Sequence, residues 1–539
     1  MNRAAAIETL TKELIRQQSI SDVENPEAVA KEASTGQFIK DWLEARGISC
    51  LLQSLSDERN NVFALVRGKT DQTVILASHF DTVGVSDYPA RFHPFEPDTL
   101  VEEQEVDPQI YVVGRGSVDM KSGVAVAMVL LDELQHSAEQ LNGSVMLVAT
   151  CDEECNSWGI LHAPDVLLRA NGVIAQNDNL SEQVAILTDG HILNYQGVIN
   201  LDYTTERFQD DPDYHMWAGT IGKLLPSILI RGQTTHVGEH FSGFHATTLL
   251  ARIIAEIDGN MQYVDGTVPP SVLKASDDKQ SYNVQTALSA RAYFNVFTIA
   301  KTPDEILDQI YNAAKSITES YIHDIERNYE IYRHQMDLPD KRVDWRKIAR
   351  VVKYSEIHDQ AVKSLGQTEV EQIIDQALAG SKGKDSRDQC FTIIERVMDA
   401  LKIDVPTIVL FYAPPFYPYI KPDEAGRLYQ ATNQAASIIA EESGRVIHMN
   451  HYYPYISDMS YLRLEPEIGR SISGLTREMP VWSKSYSIDF DQSAQLDLPV
   501  VNVGPYGFGA HRADERVEKY YSFNLLPEVI LQTLHRLFQ

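Results

Sequence analysis

Two rhythms of apolar residues alternate along this chain. Between Met1 and Ile20 the positions Ile7, Leu10, Leu14 and Ile15 recur at helical spacing among Glu8, Lys12 and Glu13, and Gly36 to Arg46 reads as a second helix. Asn61 to Arg67 and Thr73 to Ala77 are instead short strand-like runs rich in β-branched and aliphatic residues. Gly123 to Leu134 is a dense apolar stretch of helix formers, and Ser144 to Ala149 (SVMLVA) reads as a buried strand. Strands that alternate with helices predict an α/β fold whose sheet is largely parallel and covered on both faces.

The rhythm changes after Asp202. Gln209 to Tyr214 is polar, contains Pro212 and reads as a linker; beyond it Gly219 to Gly222 opens two strand-like runs that lead through Thr234-Thr235-His236 to a helix over Ala246 to Ile257. Asn283 to Phe297 and a helix from Pro303 to Tyr321 complete a small α+β unit, and Asp340 to Leu401 is polar and helix-prone, with Ser381 to Ser386 as an exposed loop. Strand-like Pro406 to Tyr412, a helix over Glu424 to Glu442 and strand-like Leu498 to Val503 then return to the first pattern. The expected organisation is a main α/β domain in two parts, residues 1–212 and 405–539, an inserted α+β domain over 213–335, and a helical extension over 336–404.

Composition narrows the class without choosing a chemistry. At 539 residues the chain exceeds what one hydrophobic core organises, and its 43% hydrophobic and 23% charged residues are ordinary for a globular protein. A formal net charge of −29 argues against nucleic-acid and anionic-membrane partners, which require a basic footprint. Cys50, Cys151, Cys155 and Cys390 are too few for a disulfide framework and read as reduced thiols. The first helix has no continuous apolar core or small-residue cleavage site, and no run approaches a membrane span, so the expectation is a cytoplasmic protein.

Chemistry enters where acids and a histidine follow apolar runs, because strand ends facing a cleft are where an α/β protein assembles a polar site. His79 and Asp81 flank Phe80 after one strand and point to the same side if it continues, so Asp81 can fix the orientation of a ligating imidazole. Asp119 stands between the loop Gly114-Arg115-Gly116 and an apolar helix, where an isolated Asp serves equally as an N-cap. That loop lacks the spacing of a phosphate-binding loop. Asp152-Glu153-Glu154 follows a buried strand; three adjacent acids there are either an exposed turn or a cation site in which one Glu binds metal and its neighbour moves a proton. Cys151 and Cys155, with no second pair, read as wall residues. His511 sits in a glycine-rich loop after Leu498 to Val503 and is one of 16 histidines, so only the whole pattern singles it out.

In order, His-x-Asp-Thr-Val, Gly-Arg-Gly-x-x-Asp-Met-Lys-x-Gly, Asp-Glu-Glu and the late Gly-Pro-x-Gly-x-x-x-His-x-x-Asp-Glu-x-Val resemble the clan MH dizinc exopeptidase and deacylase family. That family includes glutamate carboxypeptidase, acetylornithine deacetylase, succinyl-diaminopimelate desuccinylase and tripeptidase. Gly219 to Pro226 and Thr235-His236-Val237-Gly238 look like its longer arginine-utilisation branch of the RocB type. The resemblance implies a catalytic main domain, an inserted lid domain and two divalent metal ions, zinc first, with cobalt and manganese as alternatives. It implies His79 on one metal, Glu154 and His511 on the other, Asp119 bridging both, and a cis peptide at Asp119-Met120. Glu153 would be the general base, with Asp81 supporting His79. The remaining carboxylate ligand falls to Asp202 over Asp178. His236 matches the lid histidine that stabilises the oxyanion, often from a partner subunit, which implies a homodimer through the lid unless the helical extension covers it. Asn283 resembles a substrate-contacting residue.

Two departures bear on specificity. Ile456-Ser457-Asp458-Met459-Ser460 stands where many relatives have Gly-Thr-Asp-Ala-Arg, and the proline after the lid histidine is replaced by the run Glu239-His240-Phe241. The expected function is metal-dependent hydrolysis of an amide bond in a small peptide or N-acyl amino acid, in arginine utilisation by the resemblance. The alternative is a catalytically silent binding or regulatory protein that keeps the fold. Phosphate-ester hydrolysis lacks a basic clamp.

Overall fold

A computed structural model describes residues 2–22, 25–266 and 268–539. Met1, expected at the start of the first helix, lies outside them. The chain forms two compact units. The first takes the residues up to Ile221, then Ile420–Leu464 and Asp489–Gln539; the second takes Gly222–Tyr419 and Glu465–Ile488.

The first unit is built on an eight-stranded sheet in the order Ser49–Ser54, Asn60–Val66, Ser144–Thr150, Gln72–His79, Asn194–Asn200, Val500–Asn502, Tyr214–Ala218, Ile447–Asn450. Its centre, from Ser144–Thr150 through Gln72–His79 and Asn194–Asn200 to Val500–Asn502, is parallel throughout. Every residue of Ser144–Thr150 is buried, as a strand covered on both faces requires. The sheet is mixed at its flanks, where Asn60–Val66 and Tyr214–Ala218 run antiparallel to their inner neighbours.

Helices cover this sheet with faces the sequence pattern anticipates. Arg3–Arg16 buries Ile7, Leu10, Leu14 and Ile15, and the Asn2 side chain caps it by accepting from Ala4 N. Pro26–Glu44 begins well before Gly36, because Asn25 caps it and Pro26 occupies the first turn, although its early residues lack an apolar rhythm. Ser122–His136 is buried continuously from Ser122 to Leu131. A small antiparallel sheet of Gly507–Phe508, Arg516–Glu518 and Tyr111–Val113 pins the two ends of the loop that carries His511.

The second unit has a five-stranded sheet in the order Arg350–Lys353, Thr407–Tyr417, Gly222–Arg231, Ser289–Thr298, Ser271–Asp277. Its longest helix, Pro303–Gln335, opens with a capping box between Thr302 and Glu305 and extends past Tyr321. The helices Gln367–Gly380 and Ser386–Ala400 flank the expected Ser381 loop.

Three expectations about the organisation of the chain are corrected. Thr407–Tyr417, read as the return of the first sheet, pairs antiparallel with Gly222–Arg231; all its 11 residues are buried, and such a run carries no mark of its partner. Tyr214–Ala218 belongs to the first unit's sheet, so the polar stretch before it connects two strands of that unit and is not a linker. The helical segment 336–404 packs within the second unit together with residues 222–335 and is not a separate extension. Asn283 also precedes the strand at Ser289–Thr298.

Candidate metal centre

Three neighbouring parallel strands end at the same edge of the first unit's sheet, and each delivers part of one polar cluster. His79 is the last residue of Gln72–His79, Glu153 and Glu154 follow Ser144–Thr150, and Asp202 follows Asn194–Asn200. Asp119 lies in the turn Ser117–Lys121 that leads into the helix Ser122–His136, and the Asp119-Met120 peptide is cis, as the resemblance implies. His511 reaches in from the loop held by the small sheet, with a φ of 63°. Gly504 is required by close approach: a Cβ there would stand 1.7 Å from the Asp202 carbonyl oxygen.

These side chains form two overlapping groups able to hold a metal ion, His79–Asp119–Asp202 and Asp119–Glu154–His511. The two oxygens of Asp119 face opposite ways. Oδ1 lies 3.2 Å from His79 Nε2, and Oδ2 lies 3.1 Å from His511 Nε2, which is also 2.9 Å from Glu154 Oε2. Glu153 Oε2 stands 4.0 Å from His79 Nε2. Asp178 is elsewhere: it caps the helix Asn179–Leu187 and pairs with Arg169.

The electrostatics fit cations at this place. Burial, with Asp119 and Glu154 as further negative neighbours, pushes the Asp202 carboxyl up to about 8. Burial also drives Glu153 well above the usual carboxylate range, with Asp458, Glu154 and Asp202 adding to it and His79 opposing. Against the upward push of burial, His511 and His79 hold Asp119 below its ordinary value. Glu154 Oε1 and His79 Nδ1 are buried without hydrogen-bond partners. Imidazoles and carboxylates are the donor set of hydrolytic metal centres, and a divalent ion in each group would offset the crowded negative charge.

The cluster rests on supports that the sequence reading named only in part. Asp81 is fully buried and 3.3 Å from His79 Nδ1. Its stronger bonds are to the backbone, where Oδ1 accepts from Glu153 N at 3.1 Å and Oδ2 from Glu154 N at 3.0 Å. Glu515 accepts from Val118 N and Asp119 N and pairs with buried Arg115 at 2.8 Å. The quoted motifs contain both residues, but spacing alone gave them no role. A third support was missed: Asp152, at φ 62°, pairs with Arg59 at 2.6 Å and donates its N–H to Glu32 at 2.7 Å. Arg59, Glu32 and Asp152 are buried, so this network backs the Glu153–Glu154 loop from beneath.

Ser460 is buried and donates to Thr220 Oγ1 at 2.9 Å. His236 and Asn283 belong to the second unit, where Val237 N bonds Val284 O and His236 bridges to Gln285. His236 is exposed, with Nδ1 accepting from Gly238 N; Asn283 Oδ1 accepts from Gln285 N. No disulfide joins the four cysteines, and among the described residues no helix is long and apolar enough to cross a membrane.

Residues 75–519 match the family described as Peptidase family M20/M25/M40. Protein RocB of Bacillus subtilis (strain 168) is 30% identical, the match covering 100% of this chain and 96% of RocB. Uncharacterized protein YqjN of the same organism is 28% identical over 98% of this chain and 96% of its own length. The solved structure of the di-peptidase Dug1p from Saccharomyces cerevisiae shares the fold, with a TM-score of 0.55 at 11% identity, covering 99% of this chain and 95% of that one. With the motifs in family order, the fold shared and the match spanning most of the sequence, the chain belongs to peptidase family M20/M25/M40 and is a hydrolase.

Proposed function

We propose that this chain is a dinuclear metal-dependent hydrolase that cleaves an amide bond of a small peptide or an N-acyl amino acid. One observation carries the reading: Asp119 turns one oxygen toward His79 and the other toward His511, with Asp202 completing the first group and Glu154 the second. Histidine and carboxylate donors favour zinc, with cobalt and manganese as alternatives. Two divalent ions, when bound, supply Lewis acidity to the amide carbonyl and acidify the attacking water.

The protein's own part is positioning and proton transfer. Glu153 accepts the proton of the attacking water at its carboxylate and returns it to the departing amine nitrogen. Asp81 holds the backbone of Glu153 and Glu154, which keeps proton carrier and ligand in register. In this reading His236 donates to the developing oxyanion, from a partner subunit in a homodimer, and Asn283 contacts substrate. The likeness to the arginine-utilisation branch adds arginine and ornithine derivatives to the substrates to screen, and cytoplasmic residence belongs to the same reading.

The test is a metal-supplemented screen of dipeptides and N-acyl amino acids, followed by Glu153→Gln. Turnover is expected to disappear while about two equivalents of metal stay bound; unchanged turnover eliminates Glu153 as the base.

A further inference from the structure

Beside Glu153 lies a small cavity of about 10 Å³ whose polar walls are Glu153, Asp458, Asp202, His79, Ser78 and Thr150, with Asn200, Ser457 and apolar side chains completing it. That volume admits one water molecule. Asp458 is the unusual wall. It is 8% exposed, its Oδ2 accepts from Thr150 Oγ1 at 3.0 Å, and its Oδ1 is buried with no hydrogen-bond partner. Of the nearby donors, both Asn200 Nδ2 hydrogens are taken, by Ser457 Oγ at 3.0 Å and by Asn502 Oδ1 at 3.0 Å, whereas the Ser78 hydroxyl on the same cavity is buried without a partner. Two positions on, Ser460 is buried and turned to Thr220, so no cation from that position reaches Asp458.

Three carboxylates, Glu153, Asp202 and Asp458, face this cavity and repel unless donors stand between them, and a water has two hydrogens to give. We propose that Asp458 holds a buried water in this cavity against the carboxylate of Glu153, and so acts as a positioning residue for the base. The assignment rests on the proton-transfer role of Glu153 given above. The water donates one hydrogen to Asp458 Oδ1 and the other to the Glu153 oxygen on the cavity side. The second Glu153 oxygen is then fixed toward the reacting groups. Fixing that rotamer lowers the cost of reaching the reactive geometry and leaves substrate affinity untouched.

A crystal structure of the full-length zinc-loaded protein, at a resolution that shows ordered solvent, should place one water within hydrogen-bond reach of both Asp458 Oδ1 and the Glu153 carboxylate. A dry cavity overturns the proposal, whatever the kinetics show. On a substrate found in the screen, Asp458→Asn should lower kcat about tenfold with KM and bound zinc near wild-type values. Asp458→Ala, which opens the cavity to further solvent, should lose more. An unchanged kcat, or a loss expressed wholly in KM, overturns the positioning role. Glu153→Gln, run in parallel, separates the two claims: if it leaves turnover intact while the water is seen, the base assignment has failed and the water site stands.

Discussion

At the scale of single residues, the stake of this fold is buried charge. Arg59 pairs with buried Asp152 at 2.6 Å, so Arg59→Met should cost about 3–5 kcal/mol in urea unfolding by leaving that acid unpaired. Glu32 gives a pH dependence of known sign. Burial pushes its carboxyl up to about 9, with Asp81 adding and Arg59 opposing. The folded state therefore keeps a proton that the unfolded chain loses above its ordinary value, and stability contributed by that proton falls as pH rises toward about 9. Glu32→Gln should flatten this decline, read as melting temperature against pH; an unaltered slope would assign the decline to another group. The ligand residues were legible in sequence because four motifs fix their order and type. Arg59 and Glu32 were not: in the run Asp57-Glu58-Arg59 an arginine looks like any solvated charge, and it is buried where Pro26–Glu44 packs against the antiparallel pair Ser49–Ser54 and Asn60–Val66.

Among elements, what matters is how closely their ends approach. Gly504 follows the strand Val500–Asn502 and leaves no room for a Cβ beside the Asp202 carbonyl, so Gly504→Ala should cost about 1–3 kcal/mol or more by forcing strand and turn apart. It should also weaken zinc binding, measured by competition with a chelating dye, because Asp202 moves with its carbonyl. In the second unit, Thr302→Ala removes the cap of Pro303–Gln335 and should cost about 1 kcal/mol without altering metal content. Periodicity recovered the buried strands Gln72–His79 and Ser144–Thr150 and the helix Ser122–His136, all of which carry dense apolar runs. It failed for Thr407–Tyr417, whose apolar residues say that it is covered and nothing about which strand lies beside it.

For the molecule as a whole, the buried acids make stability depend on metal. A cation that binds only the folded state at a hundredfold excess over its Kd stabilises by about 2.7 kcal/mol. Chelation should therefore lower the melting temperature and zinc should restore it; a melt indifferent to chelator would count against a resident ion. The route of the chain adds a matter of timing. During synthesis from the N-terminus, His79, Asp119 and Asp202 are all made before the chain departs into the second unit at Gly222, whereas His511 waits until after Asp489, when the chain has returned for the last time. A nascent chain thus holds one complete ligand trio long before the other. A chain cut short between Gly222 and His511 would carry every residue of the older trio and lack the last member of the younger.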